Sequence, residues 1–134
     1  MRTVFVDTNV ILDVLLQNDG FWKDSLKIFQ LAELKQIRAC VSASSMTDIF
    51  YVAKKKLTVQ TARKAIEKML GLFEVIGVNG DDLRGALTLP IEDMEDSLQA
   101  WCAKKAKADT LITRDMDGFT GIDIPVITPA KFTI

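Results

Sequence analysis

Thr3-Val4-Phe5-Val6-Asp7-Thr8-Asn9, an apolar run that ends in a carboxylate, sets the reading of the whole chain. Val4, Phe5 and Val6 are β-branched or aromatic with no polar alternation, as expected of a parallel strand covered on both faces. Asp7 ends that strand and opens the helix that follows. Two roles fit it. As an N-cap it would satisfy an orphan amide of the first helical turn. As a functional acid it would stand beyond the carboxyl end of a parallel strand, where open α/β sheets bind their ligands.

Outward from this stretch, residues 8 to 17 read as a helix apolar nearly all round, interrupted only by Asp13, and so central. Asn18-Asp19-Gly20 supplies a turn. Leu26, Ile28, Phe29, Leu31, Ala32 and Leu34 give a second helix ending near Ile37, and Arg38 to Ser42 a second strand. Met46, Ile49, Phe50, Ala53 and Leu57 recur at helical spacing, with Asp48 beside the stripe and Ser45 three residues before it in capping-box order. Lys54-Lys55-Lys56 fits either a solvated face or a contact with a phosphate backbone. Thr58 caps a further helix, Phe73 to Gly77 forms a third strand, and Asn79-Gly80 turns into a short helix that stops at Pro90.

The most acidic segment, Glu92-Asp93-Met94-Glu95-Asp96, opens the next helix. Glu92 and Asp93 are explained by the helix dipole. Asp96 is harder to dismiss: Ala100 and Ala103 line its side, while Met94, Leu98 and Cys102 form another apolar stripe. A carboxylate on a helix packed on two sides is costly unless it is paired or bound to metal. Thr110 to Thr113 is a fourth strand ending in Arg114-Asp115, Asp117-Gly118 a turn, and Pro125 to Thr128 a last strand. The alternation predicts a doubly wound α/β fold with a mainly parallel sheet of about five strands, in one domain spanning 1–134.

Composition narrows the chemistry. The net charge of −1 argues against a simple electrostatic nucleic-acid binder while leaving room for a local basic groove. Cys40 and Cys102 read as reduced core residues. No apolar run is long enough to span a bilayer and Met1-Arg2 leads straight into a strand, so the expected location is the cytoplasm, without membrane association. There is no histidine, which removes the Ser-His-Asp triad, histidine-bearing zinc sites and paired-histidine ribonuclease chemistry. Carboxylates remain. Asp7, Asp48, Asp96 and Asp115 all fall at strand ends or near helix starts, hence on one edge of a parallel sheet. Their convergence without basic partners calls for a divalent cation, and hard oxygen donors favour Mg²⁺ or Mn²⁺.

The segments at 4–13, 42–51, 95–100 and 112–115, in that order and spacing, resemble the PIN domain family across the whole chain. The resemblance implies a three-layer α/β/α sandwich and a metal-dependent nuclease, commonly the ribonuclease toxin of a bacterial toxin-antitoxin pair. It places Asp7, Asp48, Asp96 and Asp115 as catalytic and metal-ligating acids, with Asn9, Ser45 and Thr113 in supporting positions. Asp48 stands where the family usually has the longer Glu, so it is expected to reach the metal through water. Asp115 and Asp117 both remain open as the last ligand. The resemblance further implies a small antitoxin in a groove beside the site, offering Arg or Lys to the acids. With no histidine to activate the 2′-hydroxyl, the expected cut of single-stranded RNA uses metal-activated water, with Arg114 steadying the phosphate. Monomer and homodimer are both open.

Other classes fit the sequence less well. A phosphoacceptor receiver module would put its acceptor at a strand end, whereas Asp48 lies in a helical stripe, and no Lys ends the last strand. A haloacid-dehalogenase-type phosphatase would want Asp where Asn9 stands. A binding-only domain with a degenerate site is hard to reconcile with four acids.

Overall fold

A computed structural model describes residues 1–134. The elements run β1 (Arg2–Val6), α1 (Thr8–Leu15), α2 (Trp22–Glu33), β2 (Ile37–Ser42), α3 (Ala43–Lys56), α4 (Val59–Leu72), β3 (Glu74–Ile76), α5 (Gly80–Ala86), α6 (Met94–Lys105), β4 (Thr110–Ile112) and β5 (Val126–Ile127), with 3-10 turns at Met116–Phe119 and Pro129–Lys131. The five strands form one wholly parallel sheet in the order β3-β2-β1-β4-β5. β1 is central, paired with β2 on one side and β4 on the other.

Period-two alternation along β1 divides the core. Val4 and Val6 face a cluster with Val10, Ile11, Ile28, Met46, Ile49 and Met69, contributed by α1 to α4. Phe5 faces the opposite layer with Leu98, Ala100, Cys102 and Ala103 of α6 and Ala86 of α5. Asp7, two residues after Phe5, therefore leaves the strand on the α6 side. The result is the expected three-layer α/β/α sandwich. On its outer face Asp82 joins α5 to α6: it closes a capping box with Asn79 and accepts from Trp101 Nε1 and Lys105 Nζ. Lys105 first, then the Asn79 amide and Trp101, hold its carboxyl below the usual range.

Several boundaries differ from the sequence reading. The first helix ends at Leu15 rather than Gln17, and the second at Glu33 rather than near Ile37, which already belongs to β2. Both stop because a non-glycine residue turns left-handed, Gln17 at φ 50° and Lys35 at φ 57°. In each case the next two amides fold back onto the last turn: Gln17 N to Val14 O and Asn18 N to Asp13 O, then Lys35 N to Ala32 O and Gln36 N to Leu31 O. This is the Schellman pattern. The cap of α3 is Ser42, which accepts from Ser45 N, so Ser45 and Asp48 form no capping box. The third, fourth and fifth strands are each shorter by a residue at one or both ends. No helix is long and apolar enough to cross a membrane.

Candidate active site

Strand order reverses on either side of β1, so the carboxyl ends of β1 and β4 border a topological switch point, the usual binding crevice of such sheets. Asp7 follows β1 there and is only 7% exposed. Its two sequence-based roles coexist. Oδ1 accepts from the Thr8 amide at 2.8 Å, capping α1, and also from Gln99 Nε2 at 3.0 Å. Oδ2 accepts from Thr113 Oγ1 at 2.8 Å. Three donors from three elements fix the carboxylate in one orientation.

Gln99, on α6 and 5% exposed, is the hub of this arrangement. Its Oε1 accepts from Ser42 Oγ at 2.7 Å and Ser45 Oγ at 3.2 Å. That leaves its amide nitrogen to donate to Asp7 and, at 3.3 Å, to Thr8 Oγ1. Thr8 Oγ1 in turn donates to Ser45 Oγ at 2.8 Å. Each hydroxyl gives its single proton once, so the loop Gln99, Thr8, Ser45, Gln99 closes with every donor used. The serines thereby determine which end of the Gln99 amide meets Asp7.

Asp96 lies in the first turn of α6, where its amide is capped by Asp93 Oδ1 at 2.9 Å. Its carboxylate receives no hydrogen bond. Partial burial first, then the charges of Asp93, Asp7, Asp115 and Glu95, push it up from 3.8 to about 6. Gly118 presses against it: a Cβ at that position would stand 2.7 Å from Asp96 Oδ2 and 3.8 Å from Asp115 Oδ2. The turn after β4 thus folds Asp115 towards Asp96. The Asp115 amide donates to Thr113 Oγ1 at 3.1 Å. Asp117 is exposed, and its backbone carbonyl, rather than its side chain, is engaged, by Thr120.

Asp48 lies within α3, exposed, and lines a cavity of about 420 Å³ together with Asp7, Asn9, Ser45, Asp96 and Gln99. Asn9 bridges to the β4 side, its Nδ2 lying 3.4 Å from Thr113 Oγ1 and its Oδ1 accepting from the Arg114 amide at 3.3 Å. Arg114 points elsewhere: its guanidinium pairs with Asp13. Lys54 to Lys56 end α3, roughly 15 Å along its axis from Ser45, with the Lys55 ammonium 4.1 Å from the Tyr51 ring centroid. As placed, no three acidic or sulfur side chains are gathered tightly enough to enclose an ion.

Thr8, Asp13, Ser42 and Gln99 are site residues to which the sequence reading gave no role. Gln99 carried a signal, because an amide three residues after Asp96 falls on the same small-residue face. Asp13 carried another as the lone charge in an apolar helix.

The chain is 27% identical to Ribonuclease VapC1 of Aquifex aeolicus over 134 residues, covering 96% of this chain and 92% of that protein. Its fold matches the DNA-bound VapBC of Salmonella typhimurium with a TM-score of 0.73, at 18% identity over 96% of this chain and 99% of that one. It also matches VapC20 of Mycobacterium tuberculosis, described as a sarcin-ricin loop cleaving toxin, with a TM-score of 0.70 at 16% identity over 89% and 95% of the two chains. A family model described as a PIN domain matches residues 3–117, from β1 into the turn that carries Asp115, and so across every site acid described above; the chain belongs to the PIN domain family.

Proposed function

We propose that this chain is a divalent-metal-dependent ribonuclease acting on single-stranded RNA, and the toxin of a toxin-antitoxin pair. The observation that carries the reading is electrostatic. Asp96 lies near Asp7 and Asp115, no Lys or Arg forms an ion pair with any of the three, and burial first, then the charges of Asp93, Asp7, Asp115 and Glu95, push Asp96 up to about 6. An oxygen-only donor set under mutual repulsion suits a hard cation, Mg²⁺ or Mn²⁺. Asp7, Asp96 and Asp115 would hold it, with Asp48 reaching it through water from the rim of the cavity. A bound ion lowers the pKa of an adjacent water and stabilises charge on the phosphate oxygens.

The residues of the chain supply position. Gln99 and Thr113 hold Asp7 still, Gly118 lets the Asp115 turn approach Asp96, and the open cavity admits a phosphodiester. With no histidine to exchange protons with a 2′-hydroxyl, water is the nucleophile: its oxygen bonds to phosphorus, the bond to the 3′ oxygen breaks, and that oxygen takes up a proton. The products are a 5′-phosphate and a 3′-hydroxyl. The names of the Aquifex and Mycobacterium relatives support RNA as substrate, and the VapBC complex supports a small antitoxin as partner.

Labelled single-stranded RNAs, incubated with wild type and Asp7→Asn with and without Mn²⁺, test the reading. Wild type should cut only with the ion, leaving 5′-phosphates, and Asp7→Asn should not cut. A 2′,3′-cyclic phosphate, or cleavage undiminished by EDTA, would refute it. The toxin assignment expects growth arrest on expression alone, relieved by a co-expressed partner.

A further inference from the structure

Asp13 is 1% exposed on α1, where an unpaired carboxylate would be costly. Its partner is 101 residues away. Arg114 Nη2 donates to Oδ1 at 3.0 Å, Asn18 Nδ2 donates to the same oxygen at 2.8 Å, and Arg114 Nε lies 2.9 Å from Oδ2, an ion-pair contact without hydrogen-bond alignment. The Phe21 ring covers the guanidinium, 4.2 Å from its carbon to the ring centroid. The guanidinium is thus held by one hydrogen bond, one close charge contact and a ring against its face, and a lysine ammonium would keep the charge but not the stacked plane.

The backbone of the same residue runs through the candidate site. The Arg114 amide donates to Asn9, and the Asp115 amide donates to Thr113, whose hydroxyl is bound to Asp7. The chain bends at Arg114 and leaves Asp115 at φ −112° and ψ 85°, neither helical nor a regular strand. Arg114 is thus held through its side chain by Asp13 and through its amide by Asn9, immediately before the residue whose carboxylate stands beside Gly118 and Asp96.

We propose that Asp13 and Arg114 form a latch that positions the Asp115 turn, and that Arg114 is a positioning residue rather than a phosphate contact. The inference deepens the metal-dependent reading of the site and rests on it for one of its two readouts. Metal affinity is the first. Arg114→Lys keeps the charge and should weaken Mn²⁺ binding by about tenfold, the scale seen when partners that orient metal ligands are removed. In an Asp115→Asn background the same substitution should cost less than about twofold, because the ligand it positions is already gone. The KM for RNA at saturating Mn²⁺ should stay unchanged.

Amide exchange is the second readout. Exchange at Arg114 and Asp115, followed by NMR without metal, should accelerate in both Arg114→Lys and Asp13→Asn, while the amides of β1 keep their protection. Should Asp13→Asn fail to fold, Arg114→Lys decides alone. A raised KM with unaltered Mn²⁺ affinity and exchange would show a phosphate contact and overturn the latch. So would equal losses in the wild-type and Asp115→Asn backgrounds. If wild type binds no Mn²⁺, the metal reading of the site falls, and unaltered exchange in the variants would still overturn the latch on its own.

Discussion

Replacing Asp96 by Asn should stabilise the metal-free protein near neutral pH and not in acid. The carboxylate receives no hydrogen bond, so the isosteric amide forfeits no side-chain partner. Its folded pKa is about 6 against an ordinary 3.8, raised by burial first and then by Asp93, Asp7, Asp115 and Glu95. Between those values the folded chain holds a proton that the unfolded chain has released, so stability falls as pH rises through the window, and the full penalty persists above it. Fully enclosed, a shift of this size would amount to ~3 kcal/mol. Solvent screening of the partly exposed carboxylate reduces the expected penalty to ~1 kcal/mol, or a rise in Tm of ~4 °C for the variant at pH 7.5. Near pH 4, where wild-type Asp96 is already neutral, the gain should vanish. Thermal melts in EDTA at both pH values check this, and added Mn²⁺ should then raise the Tm of wild type above that of the variant. A variant no more stable than wild type at pH 7.5, or equally stabilised at pH 4, would refute the electrostatic account of the site.

Gly118→Ala should lower Mn²⁺ affinity and RNA cleavage with little change in Tm, because the added methyl meets the movable end of Asp96 at 2.7 Å rather than backbone; titration calorimetry beside a melt separates the two. Gln99→Leu strips a buried donor from Asp7 and leaves the Ser42 and Ser45 hydroxyls without their acceptor, for an expected loss of ~2 kcal/mol in denaturant melts and about tenfold in Mn²⁺ affinity. Lys107→Gly should add ~0.5–1 kcal/mol, since Lys107 ends α6 at φ 57°, a conformation that costs an L side chain more than glycine; a fall in stability would show that its side chain makes an unrecognised contribution.

The sheet edge was legible because it depends on local signals. The apolar run at 4–6 and Leu111-Ile112 after Thr110 mark strands buried on both faces, and their alternation with helices forces parallel pairing, which carries Asp7 and Asp115 to one edge. Helix ends were less legible. The residues that stop α1, α2 and α6 are Gln17, Lys35 and Lys107, and none is the glycine by which such a cap is ordinarily recognised. Least legible were the contacts that hold the site. That Gln99 reaches Asp7 across 92 positions, or Arg114 reaches Asp13 across 101, follows only once α6 and the turn after β4 have docked around the β1–α1 junction and α1.

Capping and chemistry do not compete at these acids. Asp7 and Asp96 both sit where a helix begins, and for Asp7 the cap, worth ~1 kcal/mol, uses one lone pair of Oδ1 and Gln99 the other, which leaves Oδ2 a lone pair beside the Thr113 bond. Asp96 shows which force governs the site. In the first turn of α6 it lies in the favourable end of the helix dipole, an influence of ~0.3–1 kcal/mol that favours the charged carboxylate. Its pKa nevertheless rises to about 6, so burial and the charges of Asp93, Asp7, Asp115 and Glu95 outweigh the dipole. Part of the excess is repulsion held in the folded state. The latch holds the Asp115 turn, the Gln99 network holds Asp7 and the glycine at 118 leaves room for the approach, and a cation between the carboxylates would convert that repulsion into binding energy.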